Sequence, residues 1–249
     1  MRDTVIYAHR GLNHAAPENT LAAFAAASRS GVTWIETDTD ILADGTAVIM
    51  HDSRTDRTTN RSGSIYDLTT SDLDTIDAGS WFSGDFVGER VPTLRELVSF
   101  LGPHDLNLNL ELKGNTQGRD RSIRLVETVL EELRRLRPGT RVLISSFSPL
   151  LLAEVHRRTD AYELAWLVDK GTIGEDWRSV MELCGATALH PSTAVVSNRC
   201  VVEEIRRAGF GVNVWTVNSV QEANKLVNWG CTGIITDIAD QMVEAGRRR

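Results

Sequence analysis

From Trp34 to Ile41 the chain reads WIETDTDI, with side chains alternating between two characters. That is the period of a β-strand, whose successive side chains point to opposite faces. Glu36, Asp38 and Asp40 therefore share one face, and Ile35, Thr37, Thr39 and Ile41 the other. Asp44-Gly45 predicts a two-residue type I′ hairpin turn with both central residues at positive φ. The return strand, Ala47 to Met50, ends in His51-Asp52. Upstream, TVIYAHRG (Thr4 to Gly11) is an apolar run that delivers His9 and Arg10 at its C-terminal end. Asn19 or Thr20 is positioned to cap a helix whose apolar stripe is Leu21, Phe24, Ala25 and Ala27, ending near Gly31.

Beyond His51 the texture changes. Residues 53–90 are rich in Ser, Thr, Asp and Gly, with one short helix expected around Ser71 to Ile76. A connection this long inside one domain is usually functional. A helix then opens at Val91-Pro92-Thr93-Leu94 and runs to about Leu101. From there strand and helix patterns alternate. Strands are expected at Leu106–Lys113, Arg141–Phe147, Glu163–Val168, Ala186–Pro191, Gly211–Val217 and Gly233–Asp237. Helices are expected at Arg119–Leu136, Pro149–Arg158, Glu175–Cys184, Arg199–Ala208 and Val220–Trp229. Alternation of this kind implies parallel strands joined by right-handed crossovers. About eight such units in 249 residues fit a single α/β domain over residues 1–249, a (β/α)8 TIM barrel with a small insertion (53–90) after the second strand. No glycine-rich phosphate loop follows any strand, which argues against a nucleotide-binding sheet.

Composition narrows the function. With 41% hydrophobic residues the chain can bury one large core. A net charge of −7 argues against a general nucleic-acid binder. Cys184, Cys200 and Cys231 are widely spaced and show no CxxC, so they read as ordinary thiols. No apolar run is long enough to span a membrane. Strand-like sequence begins by Thr4, leaving no room for a signal peptide, so a cytoplasmic location is expected. Arg247-Arg248-Arg249 reads as a frayed basic end.

In a barrel of this type the active site lies at the C-terminal ends of the strands. Those ends carry His9-Arg10, Glu36/Asp38, Glu111/Lys113, Ser145/Ser146, His190, Trp215 and Asp237. Taken alone, each has a structural explanation. The acidic hairpin could present a solvated edge, Glu111–Lys113 could be an ion pair, and His190 a hydrogen-bonded core residue. Together they form one rim of carboxylates, histidines, an arginine and a lysine. Oxygen ligands two residues apart suit a hard cation such as Mg²⁺ or Ca²⁺. Histidines beside it suit proton transfer, and the set as a whole suits phosphoryl chemistry.

The same residues carry a family resemblance. HRG (His9–Gly11), PENT (Pro17–Thr20), ExD (Glu36/Asp38), HD (His51-Asp52) and RTTNRSG (Arg57–Gly63) occur in order. DAG (Asp77–Gly79), VPTL (Val91–Leu94), ELK (Glu111–Lys113), SSF (Ser145–Phe147), VWTVN (Val214–Asn218) and ITD (Ile235–Asp237) follow. The chain resembles the glycerophosphodiester phosphodiesterases over nearly its full length. That resemblance implies a TIM barrel with an insertion after the second strand. It implies one divalent cation on Glu36, Asp38 and Glu111, an acid/base pair of His9 and His51, and phosphate binding by Arg10 and Lys113. The substrate would be a small glycerophosphodiester, with Trp215 as a wall against the glycerol. Glu18 and Asn19 would brace their loop or touch substrate. Asp40 departs from the family pattern and is expected to be a solvated or hydrogen-bonded acid. The aromatics Trp81, Phe82 and Phe86 are too interrupted by polar residues for a strong membrane anchor, and packing against the barrel is expected. Two other readings stand beside this one, a phospholipase D-like hydrolase of lysolipids and a non-catalytic phosphate- or glycerol-binding barrel.

Overall fold

The structure, a computed structural model, describes residues 4–247. Nine strands are formed among these residues: β1 (Val5–His9), β2 (Trp34–Ile41), β3 (Ala47–Ile49), β4 (Asn107–Leu112), β5 (Val142–Ser146), β6 (Glu163–Val168), β7 (Ala188–Pro191), β8 (Gly211–Val214) and β9 (Gly233–Thr236). The helices are α1 (Leu21–Arg29), α2 (Thr70–Leu73), α3 (Leu94–Leu101), α4 (Arg119–Leu133), α5 (Pro149–Arg158), α6 (Trp177–Leu183), α7 (Arg199–Arg207), α8 (Val220–Trp229) and α9 (Ala239–Arg247). Hydrogen bonding runs β1-β9-β8-β7-β6-β5-β4-β2, and β1 pairs with β2 to close the ring. All of these pairings are parallel, so the expected (β/α)8 TIM barrel is formed.

Strand alternation sorts the core into two layers. Ile144, Trp166, Leu189, Val212 and Ile234 face outward and pack beneath the helices. Tyr7, Trp34, Leu143, Ala165, Ala188 and Ile235 face inward and fill the barrel's lower part. The helices dock by apolar faces and begin on side-chain caps. In α3 the Glu96 carboxylate accepts from the Thr93 backbone N–H at 2.8 Å while Thr93 Oγ1 accepts from Glu96 N–H at 3.2 Å, a reciprocal box that satisfies donors the helix leaves free. Leu94, Leu97 and Leu101 on its inner face are fully buried.

The hairpin departs from its expected form. Ile41 pairs with Ala47, so the turn spans residues 42–46. It is closed by Leu42 N–H to Thr46 O at 2.9 Å and Gly45 N–H to Leu42 O at 3.1 Å. Of Asp44 and Gly45, Gly45 alone has positive φ, at +91°. A three-residue loop with one left-handed glycine replaces the type I′ turn. β2 is also longer than its neighbours. Its first six residues pair with β4, and Thr39–Ile41 pair with β3, which is antiparallel. The hairpin thus stands above the barrel rim and returns the chain over it, with Met50 N–H bonded to Asp38 O at 3.1 Å.

The insertion has its own small core of Ile65, Leu68, Leu73, Ile76 and Ala78, packed on Leu42, Val48 and Met50 of the hairpin. Its helix is shorter than expected, because i→i+3 bonds at Thr75 and Ile76 turn the chain after Leu73. Trp81, Phe82 and Phe86 stack edge to face on one another, with Trp81 still 40% exposed. At the other end of the chain, α9 was not anticipated from periodicity. Its Ala239 and Met242 are buried. Arg247 belongs to its last turn rather than to a frayed end, and Arg248 and Arg249 lie outside the described residues.

Candidate active site

His9, Arg10, Glu36, Asp38, Glu111, Lys113 and Trp215 come from β1, β2, β4 and β8 or the residues just after them, and His51 reaches the same region because the antiparallel β3 returns the chain to the level of Asp38. β1 delivers His9, which pairs in register with Glu36 on β2. Asp38 pairs in register with Glu111 on β4. Glu36, Asp38 and Glu111 are all buried, and one carboxylate oxygen from each lies within 4.8 Å of the others. The acidic face of β2 is therefore barrel interior, and the solvated-edge reading fails. Burial and the charge of Asp38 push Glu36 and Glu111 up from the usual carboxylate range. Burial also acts upward on Asp38, but Lys113 and Arg10 outweigh it and hold Asp38 low.

Two cations line the acids. Lys113 Nζ lies 2.8 Å from Glu111 and 3.3 Å from Asp38. Arg10 donates its backbone N–H to Glu36 at 3.2 Å and Nη1 to Glu18 at 2.8 Å. Its Nε, 3.5 Å from Asp38, is buried and makes no hydrogen bond. Arg10 and Asn19 both hold left-handed backbone, φ +57° and +59°, a conformation that non-glycine residues adopt mainly where surroundings enforce it. Gly11 has φ +82°, and a Cβ there would fall 2.7 Å from that of Ala23. The HRG turn is thus set by its close approach to α1. Three carboxylates against two cations leave net negative charge in a buried, all-oxygen cluster. Those donors fit a hard divalent cation, and the elevated Glu36 and Glu111 show the cost of leaving the charge uncompensated.

Each histidine hands Nδ1 to a carboxylate. His9 Nδ1 lies 2.7 Å from Asp237. Asp237 is held in turn by Asn13 Nδ2 at 2.6 Å and Asn218 Nδ2 at 2.5 Å. Burial acts to lower the His9 pKa, but the Asp237 hydrogen bond and the charge of Glu36 outweigh it, so the net shift is upward. His51 Nδ1 lies 2.6 Å from Asp52, whose other oxygen accepts from Arg57 Nε at 2.6 Å. Burial, with the charges of Lys113 and Arg10, lowers the His51 pKa despite Asp38 and Asp52.

Further residues support these groups. Glu18 bridges Arg10 and Arg57, accepting from Arg57 at 2.7 and 2.8 Å. Asn19 donates to Asp38 at 2.9 Å and accepts from Thr37 at 2.7 Å. Both therefore brace the site. Arg57, Asp52, Asn13 and Asn218 were not assigned roles, although all but Asn13 lie within motifs that the sequence displays. Asp40 is buried and accepts from the Tyr66 hydroxyl at 2.7 Å, so it pins the insertion to β2 and stands outside the acidic triad. His190 is fully buried beside the Asn213 amide at 2.8 Å, and burial pushes its pKa down to about 3. It is a neutral core histidine. Trp215 donates its indole N–H to His190 O at 2.8 Å and meets Phe147 edge to face at 5.5 Å.

Residues 9–241 match the model of the glycerophosphoryl diester phosphodiesterase family. A glycerophosphodiester phosphodiesterase of Caldanaerobacter subterraneus subsp. tengcongensis is 32% identical, with 98% of each chain covered. A solved Oleispira antarctica phosphodiesterase, in complex with the product sn-glycerol-3-phosphate, superposes with a TM-score of 0.92 at 30% identity, covering 98% of this chain and 96% of that one. The glycerophosphodiester phosphodiesterase of Thermotoga maritima superposes with a TM-score of 0.78 at 25% identity, covering 97% and 98%.

Proposed function

This chain belongs to the glycerophosphoryl diester phosphodiesterase family, and from that premise we propose that it hydrolyses small glycerophosphodiesters to glycerol phosphate and an alcohol with a divalent cation and the His9/His51 pair. The observation that carries the reading is the pairing of the acidic triad with two histidines whose Nδ1 atoms are both tied to carboxylates. Nε2 of each ring is left without a partner among the described residues and available for substrate.

Glu36, Asp38 and Glu111 would hold the cation, and their oxygen donors favour Mg²⁺ or Ca²⁺. Once bound, it supplies Lewis-acid polarisation of the phosphate. Arg10, with its unengaged Nε, and Lys113 bind the phosphate oxygens and stabilise charge that develops on them. The surroundings of the two histidines divide the proton work. Asp52 has its charge compensated by Arg57, whereas Asp237 has only neutral amides besides His9. An uncompensated carboxylate favours imidazolium, so His9 keeps its proton and His51 remains neutral. His51 Nε2 takes the proton of the attacking oxygen, which is either water or the neighbouring glycerol hydroxyl. As the ester P–O bond breaks, His9 Nε2 protonates the departing alkoxide; where the glycerol hydroxyl is the attacker this leaves a cyclic phosphate, which water then opens to glycerol phosphate with the two histidines exchanging roles. Trp215, with Phe147 against it, forms the apolar wall for the organic part of the substrate.

Among the described residues no helix is long and apolar enough to cross a membrane. A cytoplasmic location would bring the site to water-soluble, deacylated diesters rather than intact phospholipids. The test is a panel of glycerophosphodiesters assayed with and without chelator. Turnover of glycerophosphocholine or glycerophosphoethanolamine should disappear with chelator and return with Mg²⁺ or Ca²⁺. Glu36→Gln should weaken cation binding and turnover together; full activity of that variant in chelator would refute the cation assignment.

A further inference from the structure

The barrel mouth has two unlike halves. At its upper rim, each strand presents one inward-facing side chain. On β9, β1, β2 and β4 these are Asp237, His9, Asp38 and Lys113, the charged half already described. On β5 to β8 they are Phe147, Asp169, Ser192 and Trp215. Each of these four directly follows the last residue of its strand. Phe147, Asp169 and Ser192 continue the inward alternation of Leu143, Ala165 and Ala188, and Trp215 packs against the same inner cluster. Ser192 and Trp215 form a parallel bridge.

Phe147 and Trp215 meet edge to face, with ring centroids 5.5 Å apart and planes at 87°. Phe147 is 42% exposed. Between them in the strand order stands Asp169. Its Oδ1 accepts from the Ser192 hydroxyl at 2.6 Å and from Lys170 N–H at 2.7 Å. Its Oδ2 has no partner, and no Lys or Arg pairs with Asp169 among the described residues. Among these four residues Asp169 is the one acid, held by a serine and, among the described residues, uncompensated by a cation.

A carboxylate at that position repels phosphate, which belongs on Arg10 and Lys113 opposite. A diester anchored there extends one of its alcohols across the mouth toward β5–β8. Aromatic rings on one arc of the rim, linked through Ser192 to a carboxylate that no cation pairs with among the described residues, are the chemistry that recognises an organic cation. We propose that Phe147, Trp215 and Asp169 form a subsite for the positively charged nitrogen of the leaving alcohol, so that diesters with a cationic head group are preferred over those with a neutral one. This rests on the phosphodiesterase reading above. It assigns the Trp215 wall to the head group instead of the glycerol.

The experiment compares kcat/KM for glycerophosphocholine and glycerophosphoglycerol under one saturating cation concentration. It uses the wild type, Asp169→Asn, Asp169→Lys and Phe147→Leu. The wild type should favour the choline diester. Asp169→Asn and Phe147→Leu should each lower the ratio of the two values by about three- to tenfold, the scale of a cation–π or exposed charge contact. Asp169→Lys should lower it further. A ratio that does not respond to any variant would overturn the subsite. So would equal losses on both substrates, which would place the shared glycerol there. Failure of the wild type to hydrolyse either diester would instead remove the phosphodiesterase reading on which the subsite depends.

Discussion

His9 and His51, the proposed acid/base pair, have supports of different origin. The His9 support is barrel structure: Asp237 follows β9, Asn218 follows β8, and Asn13 comes from the loop after β1. The His51 support is assembled by the hairpin and the insertion: Asp52, then Arg57, then Glu18, which reaches Arg10. The first support is neutral apart from one carboxylate. The second is a run of alternating charges, with Arg57 nearly half exposed. Burial pushes Glu18 upward, yet Arg57 and Arg10 more than offset it and hold it low. One histidine is therefore set by the closed ring of strands, and the other by how the insertion docks. Their pKa values shift in opposite directions: burial lowers both, but the Asp237 hydrogen bond and Glu36 outweigh it at His9, whereas Lys113 and Arg10 add to it at His51.

The strongest way to break the comparison is to remove each ring. His9→Ala and His51→Ala should each cost about 10²–10⁴-fold in kcat, the range of positioned acid–base groups. Near-normal rates for both variants would end the acid/base assignment.

Next in size is the loss of each carboxylate. Asp237→Asn should lower kcat about 10- to 100-fold with little change in KM, as a charge-assisted hydrogen bond is worth roughly 1.5–3 kcal/mol. Asp52→Asn should cost less, because Arg57 already compensates Asp52. Equal losses in steady-state kinetics would show that the two supports are equivalent after all.

The pH–rate profile sharpens the same point. In the proposed mechanism the active form has His51 neutral and His9 protonated. His51 is lowered and His9 raised from the ordinary histidine value of 6.5, so activity should rise on a limb below that value and fall on a limb above it. Asp237→Asn removes the carboxylate that favours the His9 imidazolium, and the alkaline limb should move down. Arg57→Ala frees the charge of Asp52, raises the His51 pKa, and should move the acid limb up. A profile in which Arg57→Ala shifts the alkaline limb would reverse the roles.

The smallest effect concerns salt. The Arg57 links are partly exposed and should be screened. Between low and high ionic strength, the wild type should lose about twofold in kcat through the His51 support, and Arg57→Ala should be nearly indifferent. A salt response that persists in full in Arg57→Ala would place its origin elsewhere, at the phosphate-binding cations.

Much of this was written in local pattern. The period-2 run from Trp34 to Ile41 put Glu36, Asp38 and Asp40 on one face. The same period at Leu106–Lys113 put Glu111 and Lys113 on one face, and the regular alternation with helices implied a closed parallel ring. Since strand parity is a local property, the sequence by itself put Glu36, Asp38, Glu111 and Lys113 on inward faces, but it also put His190 at the rim, where the structure buries it in the core. It could not determine whether the acidic face was wet or buried, because that depends on β1 and β4 flanking β2. Nor could it decide the turn at Gly45, where pairing of Ile41 with Ala47 sets the loop length. The α9 helix was missed because its apolar stripe is short, with Ala239 and Met242 its buried residues. What the tertiary structure alone decided is the second layer: Asp237 on His9 across 228 residues, Arg57 joined to Glu18 across 39, and Tyr66 on Asp40 across 26. Contacts at such separations leave no periodic trace, since they arise only when the ring closes and the insertion docks. At His9 the Asp237 contact helps to raise the pKa against burial.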